Sequence, residues 1–293
     1  MLKPIPTNYQ IRFQRVFDYI DTHLDDQLSA DVLSSVAAFS KFHFHRQFSA
    51  LFGISVSKYV QLKRLKRAGH QLAYRDMSVT EIAYSCCYES PEAFSRAFKT
   101  YFSQTPTAFR NTPNWERWLT VYEPLAKVRI PDMARTYSND DIELVDFPET
   151  RIAVFQHKGD PKGIPNSVRK FISWRKENGL PPSRSATFNI LHTNPNEVAL
   201  SEHRFDICAE IKSAVKANAE GIVEETIPSG MCAKLRYVGS YDHLEEAVSY
   251  LYGVWLPQST MEPRDFPLFL QRVKFFPECS EHEAITDIFL PLS

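Results

Sequence analysis

Apolar side chains fall on two different periods along this chain, and the change of period divides it. From about residue 10 to residue 110 they recur every three to four positions, the spacing that lines one face of a helix. In FHFHRQFSALF the residues Phe44, Phe48, Leu51 and Phe52 form such a stripe, and Phe94, Phe98 and Phe102 repeat it in PEAFSRAFKTYF. The two stretches align without a gap, Ser40 with Ser90 and Arg46 with Arg96, so the first half contains a duplication. Each long helix is preceded by a shorter amphipathic one, LSADVLSSVAAF with Ser29 as its cap and VTEIAYSCC with Ser78 as its cap. A short helix, a tight turn and a longer capped helix make a helix-turn-helix unit. Ser40 and Ser90 stand where the caps of the long helices belong, and Pro91 suits a first helical position. Between the copies, residues 56–75 predict one long helix with Tyr59, Leu62, Leu65 and Leu72 inward.

From residue 141 onward the period shortens to two. The runs at 141–147, 151–157, 186–192 and 205–211 predict strands, interrupted by a helix that stops at Gly179. The same order recurs eighty to eighty-one residues later: Pro148, Ala153 and Gly159 space like Pro228, Ala233 and Gly239, and DHLEEAVSYLYGVW supplies the second helix. Each half reads strand, strand, helix, strand, strand, too little to bury a sheet alone. Two halves together predict one pseudo-symmetric antiparallel sheet with helices on one face and a cleft at their junction. The fold class is therefore an all-α double helix-turn-helix region followed by a duplicated α+β domain. The expected boundaries are 1–112 for the first domain, 113–139 for a Pro- and Trp-containing linker, and 140–293 for the second.

Charge adds a preference for partners. Residues 1–115 hold 14 Lys and Arg against 9 Asp and Glu, whereas residues 116–293 hold 20 against 26, so the helical half is the one suited to an anionic polymer. At about 100° per residue, Phe42, His45 and Arg46 lie away from the first Phe stripe, and Glu92, Ser95 and Arg96 away from the second. Arginine can pair with guanine, an exposed ring can meet a thymine methyl, and a carboxylate can accept from cytosine. The caps and flanking cations, Ser40, Lys41, His43, Ser90 and Lys99, suit phosphates. Lys63, Arg64, Lys66 and Arg67 of the long connecting helix read equally as phosphate contacts or as a solvated face. That helix is long enough to set two recognition helices about one turn of duplex apart, so one chain could read two successive major-groove segments. Scattered cysteines (86, 87, 208, 232, 279) without ligand spacing point to reduced, mostly buried thiols. No metal or cofactor is expected, and no nucleophile-His-acid order, HExxH or glycine-rich phosphate loop supports an enzyme. The sequence contains no apolar run long enough for a signal peptide or a bilayer span, which gives an expectation of a cytoplasmic protein.

Residues 10–110 resemble the DNA-binding domain of AraC/XylS-type regulators, most clearly in FSRAFKTYFSQTPTAFR, where Phe-x-Arg-x-Phe-Lys is followed by Pro106 and Phe109-Arg110. The resemblance implies base-reading roles at Phe42, His45, Arg46, Pro91, Glu92, Ser95 and Arg96. Ser103 stands where that family usually has Gly. Residues 140–293 resemble a GyrI-like effector-binding domain, through the duplication, Trp255-Leu256-Pro257 and the closing AITDIFLPLS, and the domain order is similar to that of right-origin-binding regulators. That resemblance implies a small apolar or amphipathic effector held by Phe155, Tyr237, Tyr250, Trp255 and Asp287. It also implies double-stranded DNA and RNA polymerase as partners. The alternative is a DNA-binding regulator whose second domain is a protein-interaction or structural module without a small-molecule ligand.

Overall fold

The computed structural model describes residues 7–128, 137–194 and 197–293, which divide into two compact units, Met1–Arg135 and Thr136–Ser293. No helix among the described residues is long and apolar enough to cross a membrane.

In the first unit, α1 (Thr7–Thr22), α2 (Ala30–Val36), α3 (Lys41–Phe52) and the start of α4 (Val56–Tyr74) enclose one core, and α5 (Val79–Ser85), α6 (Pro91–Phe102), α7 (Pro106–Asn111) and the rest of α4 enclose another. Phe44, Phe48 and Phe52 of α3 pack against Phe13 and Phe17 of α1, and Phe94, Phe98 and Phe102 of α6 pack with Phe109 of α7. Each Phe triplet is at most 9% exposed, so the i, i+4, i+8 stripe is the buried seam in both copies. Both tight turns use a left-handed residue that is not glycine, Ala38 (φ 52°) and Cys87 (φ 59°). In each, the residue after it donates to a carbonyl five positions back, Phe39 to Ser34 and Tyr88 to Ala83. Ser29, Ser78 and Ser90 accept cap hydrogen bonds from the first turns of α2, α5 and α6, whereas Ser40, although at the N-cap of α3, makes none.

Residues 115–127, read in the sequence as linker, form a further helix, α8 (Trp115–Lys127), that belongs to the first unit. Trp115, Trp118 and Tyr122 are buried in the second core, and Leu125 touches both cores. Gly69 of α4 makes room for this docking, since a Cβ there would collide with the Trp118 indole. Residues 129–136 of the expected linker lie outside the described residues.

The second unit is an eight-stranded antiparallel sheet of β1 (Ile142–Phe147), β2 (Thr150–Lys158), β3 (Thr187–Leu191), β4 (Arg204–Glu210), β5 (Val223–Ile227), β6 (Gly230–Val238), β7 (Phe269–Lys274) and β8 (Ile285–Pro291), in the order β1-β6-β8-β7-β3-β4-β2-β5. Exchanging each strand for its counterpart in the other half returns the same order, so the expected pseudo-symmetry is present. It is achieved by exchange: the first strand of each half pairs with the second strand of the other, β1 with β6 and β5 with β2. The turn chemistry explains why. The favoured two-residue hairpins have positive φ at their first central position, and the links here begin with Pro148 and Pro228, whose rings fix φ negative. Two residues reach about 11 Å, yet six strand spacings of about 4.8 Å separate β1 from β2 in a flat sheet, so the sheet curls.

Alternation then assigns the two faces. Ala153, Ile207 and Ala209 lie under α9 (Ile164–Glu177), and Leu235, Leu270, Ile288 and Leu290 under α10 (Leu244–Tyr250), which continues into a wider turn, Leu251–Trp255. Val154, Phe188, Ile190, Cys208, Phe269 and Phe289 fill the inside of the curl, where the rings of Phe269 and Phe289 stack 5.0 Å apart.

Candidate functional site

Burying the Phe stripe of α3 turns Lys41, Phe42, His43, Arg46 and Ser49 outward, with His45 half-buried at the edge. Phe42 is 86% exposed, an apolar ring that no core claims. Arg46 forms no salt bridge among the described residues. Lys41 meets Asp31 of α2 at 2.8 Å, but both side chains are mostly exposed, and such a pair is worth about 0–1 kcal/mol, little obstacle to a phosphate. On α6 the outward set is Glu92, Arg96 and Lys99, with Ser95 half-buried at the edge as His45 is, beginning at Pro91 and the Ser90 cap. The Glu92 carboxyl lies below its ordinary value because its own backbone N–H and Ser90 hydrogen-bond to it and Arg96 stands one turn on. It is thus engaged at the helix N-terminus as well as displayed. All twelve residues expected at a DNA surface lie in the α3 and α6 segments, and one aligned position, Arg46 in the first copy and Arg96 in the second, carries arginine in both.

The basic run of α4 belongs to neither of the readings given above. Lys63 pairs with Asp21 at 2.9 Å with both side chains largely buried. Arg64 donates to the carbonyls of Leu24 and Asp26, and Arg67 donates to Asp25 and to the carbonyl of Ser85. These cations fasten α4 to the end of α1, to the loop after it and to the end of α5, which holds the helix-turn-helix copies in fixed relation. A second tie runs from Lys58, whose ammonium lies 3.8 Å from the centre of the Tyr101 ring, while the Tyr101 hydroxyl donates to Gln61.

In the second unit the five expected effector contacts do not converge. Tyr237 and Trp255 are buried in the core beneath α10, the Tyr237 hydroxyl donating to the Ser240 carbonyl at 2.8 Å. Tyr250 packs at the rim of that core, 5.3 Å from the Tyr137 ring. Phe155 belongs to the other half, beside the core under α9. Asp287 points to the opposite face of the sheet, because Ile288 and Leu290 occupy the helix side and strand neighbours alternate. There it receives a two-pronged pair from Arg236, Nε at 2.7 Å and Nη2 at 2.8 Å. A carboxylate so held is not available to a cation lying among those aromatics. Its counterpart Asp206 is fully buried and receives Arg204 and His192 Nε2 at 2.7 Å. Burial alone pushes the Asp206 carboxyl up, but His192 and Arg204 outweigh it and leave it below the ordinary value.

Sequence reasoning missed Arg272, on the helix side of β7 beneath Tyr241, and Gly69, the seat of α8. The first could have been found by aligning the halves, which sets Arg272 against Leu191.

Residues 140–293 match the model of the GyrI-like small molecule binding domain, and residues 33–112 match that of a helix-turn-helix domain. Over 154 residues the chain is 32% identical to the probable transcriptional regulator YgiV of Escherichia coli (strain K12), covering 52% of this chain and 96% of that protein. Over 102 residues it is 40% identical to the uncharacterized HTH-type transcriptional regulator YbfP of Bacillus subtilis (strain 168), covering 35% of each. Over 97 residues it is 33% identical to the right origin-binding protein of Escherichia coli (strain K12), covering 33% of this chain and 34% of that one.

Proposed function

Because the chain belongs to the GyrI-like small molecule binding domain family and carries an AraC-type helix-turn-helix domain, we propose that this DNA-binding transcription regulator reads two successive major-groove segments with α3 and α6. In this reading Arg46, with Phe42 and His45, addresses bases in one segment, and Arg96, with Glu92 and Ser95, addresses bases in the other. Ser40, Lys41, His43, Ser90 and Lys99 meet phosphates. The observation that carries the reading is the repeat itself: two twelve-residue helices with the same buried Phe triplet and an arginine at the same outward position. The nineteen residues of α4 span about 28 Å, close to the roughly 34 Å of one duplex turn. A small molecule taken up by the second unit alters DNA affinity or a contact with RNA polymerase, through unequal affinity for two states of the regulator.

Selection of bound sequences from a random duplex library at two salt concentrations tests the DNA half. Two short conserved blocks about one helical turn apart are expected. Enrichment of nothing, with affinity that collapses as salt rises, would mean that the helices hold DNA without reading it. A second reading, in which residues 140–293 form a protein-interaction or structural module, is favoured by one observation, the occupation of Tyr237, Trp255 and Asp287 by intramolecular partners. Ligand titration of the full chain separates the two.

A further inference from the structure

Most arginines of the second unit whose surroundings are described are held by neighbours. Arg204 is held by Asp206, Arg236 by Asp287 and Arg151 by Glu224. Arg175 is buried but satisfied by the carbonyls of Leu180 and Ser185 and by the hydroxyl of Thr187. Arg272 is different. Leu268 and Leu270 of the same strand region belong to the core under α10, so alternation turns Arg272 to the helix side as well. There its backbone neighbours are Thr187 of β3 and Thr286 of β8. Its guanidinium carbon lies 4.8 Å from the centre of the Tyr241 ring, and its Nε is closed off from solvent with no hydrogen-bond partner. No carboxylate among the described residues pairs with it. The groups whose charge bears on it are Tyr241 and Cys279, a phenol and a thiol that are predominantly uncharged near pH 7.

A guanidinium stays charged inside a protein, and Arg272 is half-buried with its Nε shut away from water, so a counter-ion at that edge would be favourable. A ring face attracts the cation but offers no acceptor to the N–H groups. Tyr241 is 44% exposed, which leaves the position open to approach from solvent. Its surroundings add an apolar direction. The cores under α9 and α10 are separate, and Leu191, the counterpart of Arg272 in the other half, packs partly buried against both. The seam between the helices thus has an apolar end at Leu191 and a cationic end at Arg272.

We propose that this seam takes an amphipathic organic anion, its carboxylate or sulfonate on Arg272 beneath Tyr241 and its apolar body toward Leu191. The assignment rests on the small-molecule reading of residues 140–293 and sharpens it to a ligand class of definite charge. Two oxygens of such a group can accept from the guanidinium fork in the plane where no protein acceptor stands. The acid most exposed to suspicion as a cation ligand, Asp287, lies on the other face and is already neutralised by Arg236.

The test is calorimetric titration of the full chain with naphthalene-2-sulfonate and with its matched cation, 2-naphthyltrimethylammonium. The sulfonate is expected to bind at least about tenfold more tightly, the scale of one charge-assisted hydrogen bond. Arg272→Gln should remove about that factor for the sulfonate and leave the cation unchanged, with Arg272→Lys in between. Without ligand, Arg272→Gln should melt at or above the parent, because it removes an unpaired charge. Equal or tighter binding of the cation, or an unchanged sulfonate affinity in Arg272→Gln, overturns the anion assignment and leaves the small-molecule reading standing. Binding of neither probe by the parent chain overturns both. A marked loss of melting temperature in Arg272→Gln would show that the guanidinium is a structural tie, which also overturns the proposal.

Discussion

The two helix-turn-helix copies agree where they are buried and disagree where they are exposed. Phe44, Phe48 and Phe52 have their counterparts in Phe94, Phe98 and Phe102, and both turns pass through a left-handed residue. Outside, α3 displays Lys41, Phe42 and His43 where α6 displays Pro91, Glu92 and Ala93. Packing tolerates few alternatives at a position with neighbours on every side, whereas an outward position is answerable only to its partner. The difference teaches what the duplication is for. A symmetric dimer presents one helix twice and meets a palindrome, but two unlike helices on one chain suit an asymmetric site with two different half-sequences.

The largest effects should come from breaking the shared skeleton. Phe48→Ala and Phe98→Ala each remove a ring with 0% exposure and should cost about 3–5 kcal/mol of local stability. Because the copies occupy separate cores, the loss should appear in amide exchange of α3 for the first variant and of α6 for the second. Equal loss of protection in both helices from either change would break the comparison, since it would make the two cores one cooperative body.

The next effects sharpen the outward difference. Arg46→Ala and Arg96→Ala should each cost about 1–3 kcal/mol on the selected site and relax the sequence requirement only in the half-site of the altered helix. Lys99→Ala should weaken every duplex alike and reduce the salt slope by about one. Fluorescence anisotropy with specific and scrambled duplexes reads both. Equal losses on the two duplexes for both arginines would remove base reading from α3 and α6.

How far the sequence carried depended on whether a feature was local. Stripes, caps and the two duplications fixed the helices, most strands and the outward face of α3 because each is decided within a few residues of itself. Features decided at a distance were not legible. The cations of α4 look like a surface run, but Lys63 and Arg67 end on Asp21 and Asp25, some forty residues earlier, and no periodicity announces that. Pro113 and Pro124 made 113–139 resemble a linker, while the docking that makes α8 a helix depends on Gly69 in another element. One misreading was avoidable: counting alternate residues back from Ile288 places Asp287 on the face away from Tyr237 and Trp255.

The smallest effects test whether the copies are equivalent at their ends. Ser90→Ala should cost about 1 kcal/mol, because its side chain accepts from Ala93 N–H, and Ser40→Ala, which loses no such bond, should cost little. At the other end, α3 closes with Gly53 at φ 68° and α6 with Ser103 at φ 58°. A Cβ in this left-handed region costs about 1–2 kcal/mol, and glycine returns roughly 0.4–1 of that through the greater freedom of the unfolded chain. Ser103→Gly should therefore stabilise α6 by about 0.5–1 kcal/mol and Gly53→Ala should destabilise α3 by a similar amount, the Cβ at Gly53 meeting nothing within 4 Å. Opposite shifts in amide exchange at the two helix ends would establish that backbone conformation alone separates them. If Ser103→Gly destabilises instead, its hydroxyl is holding the turn before α7, and the two helix ends are not equivalent.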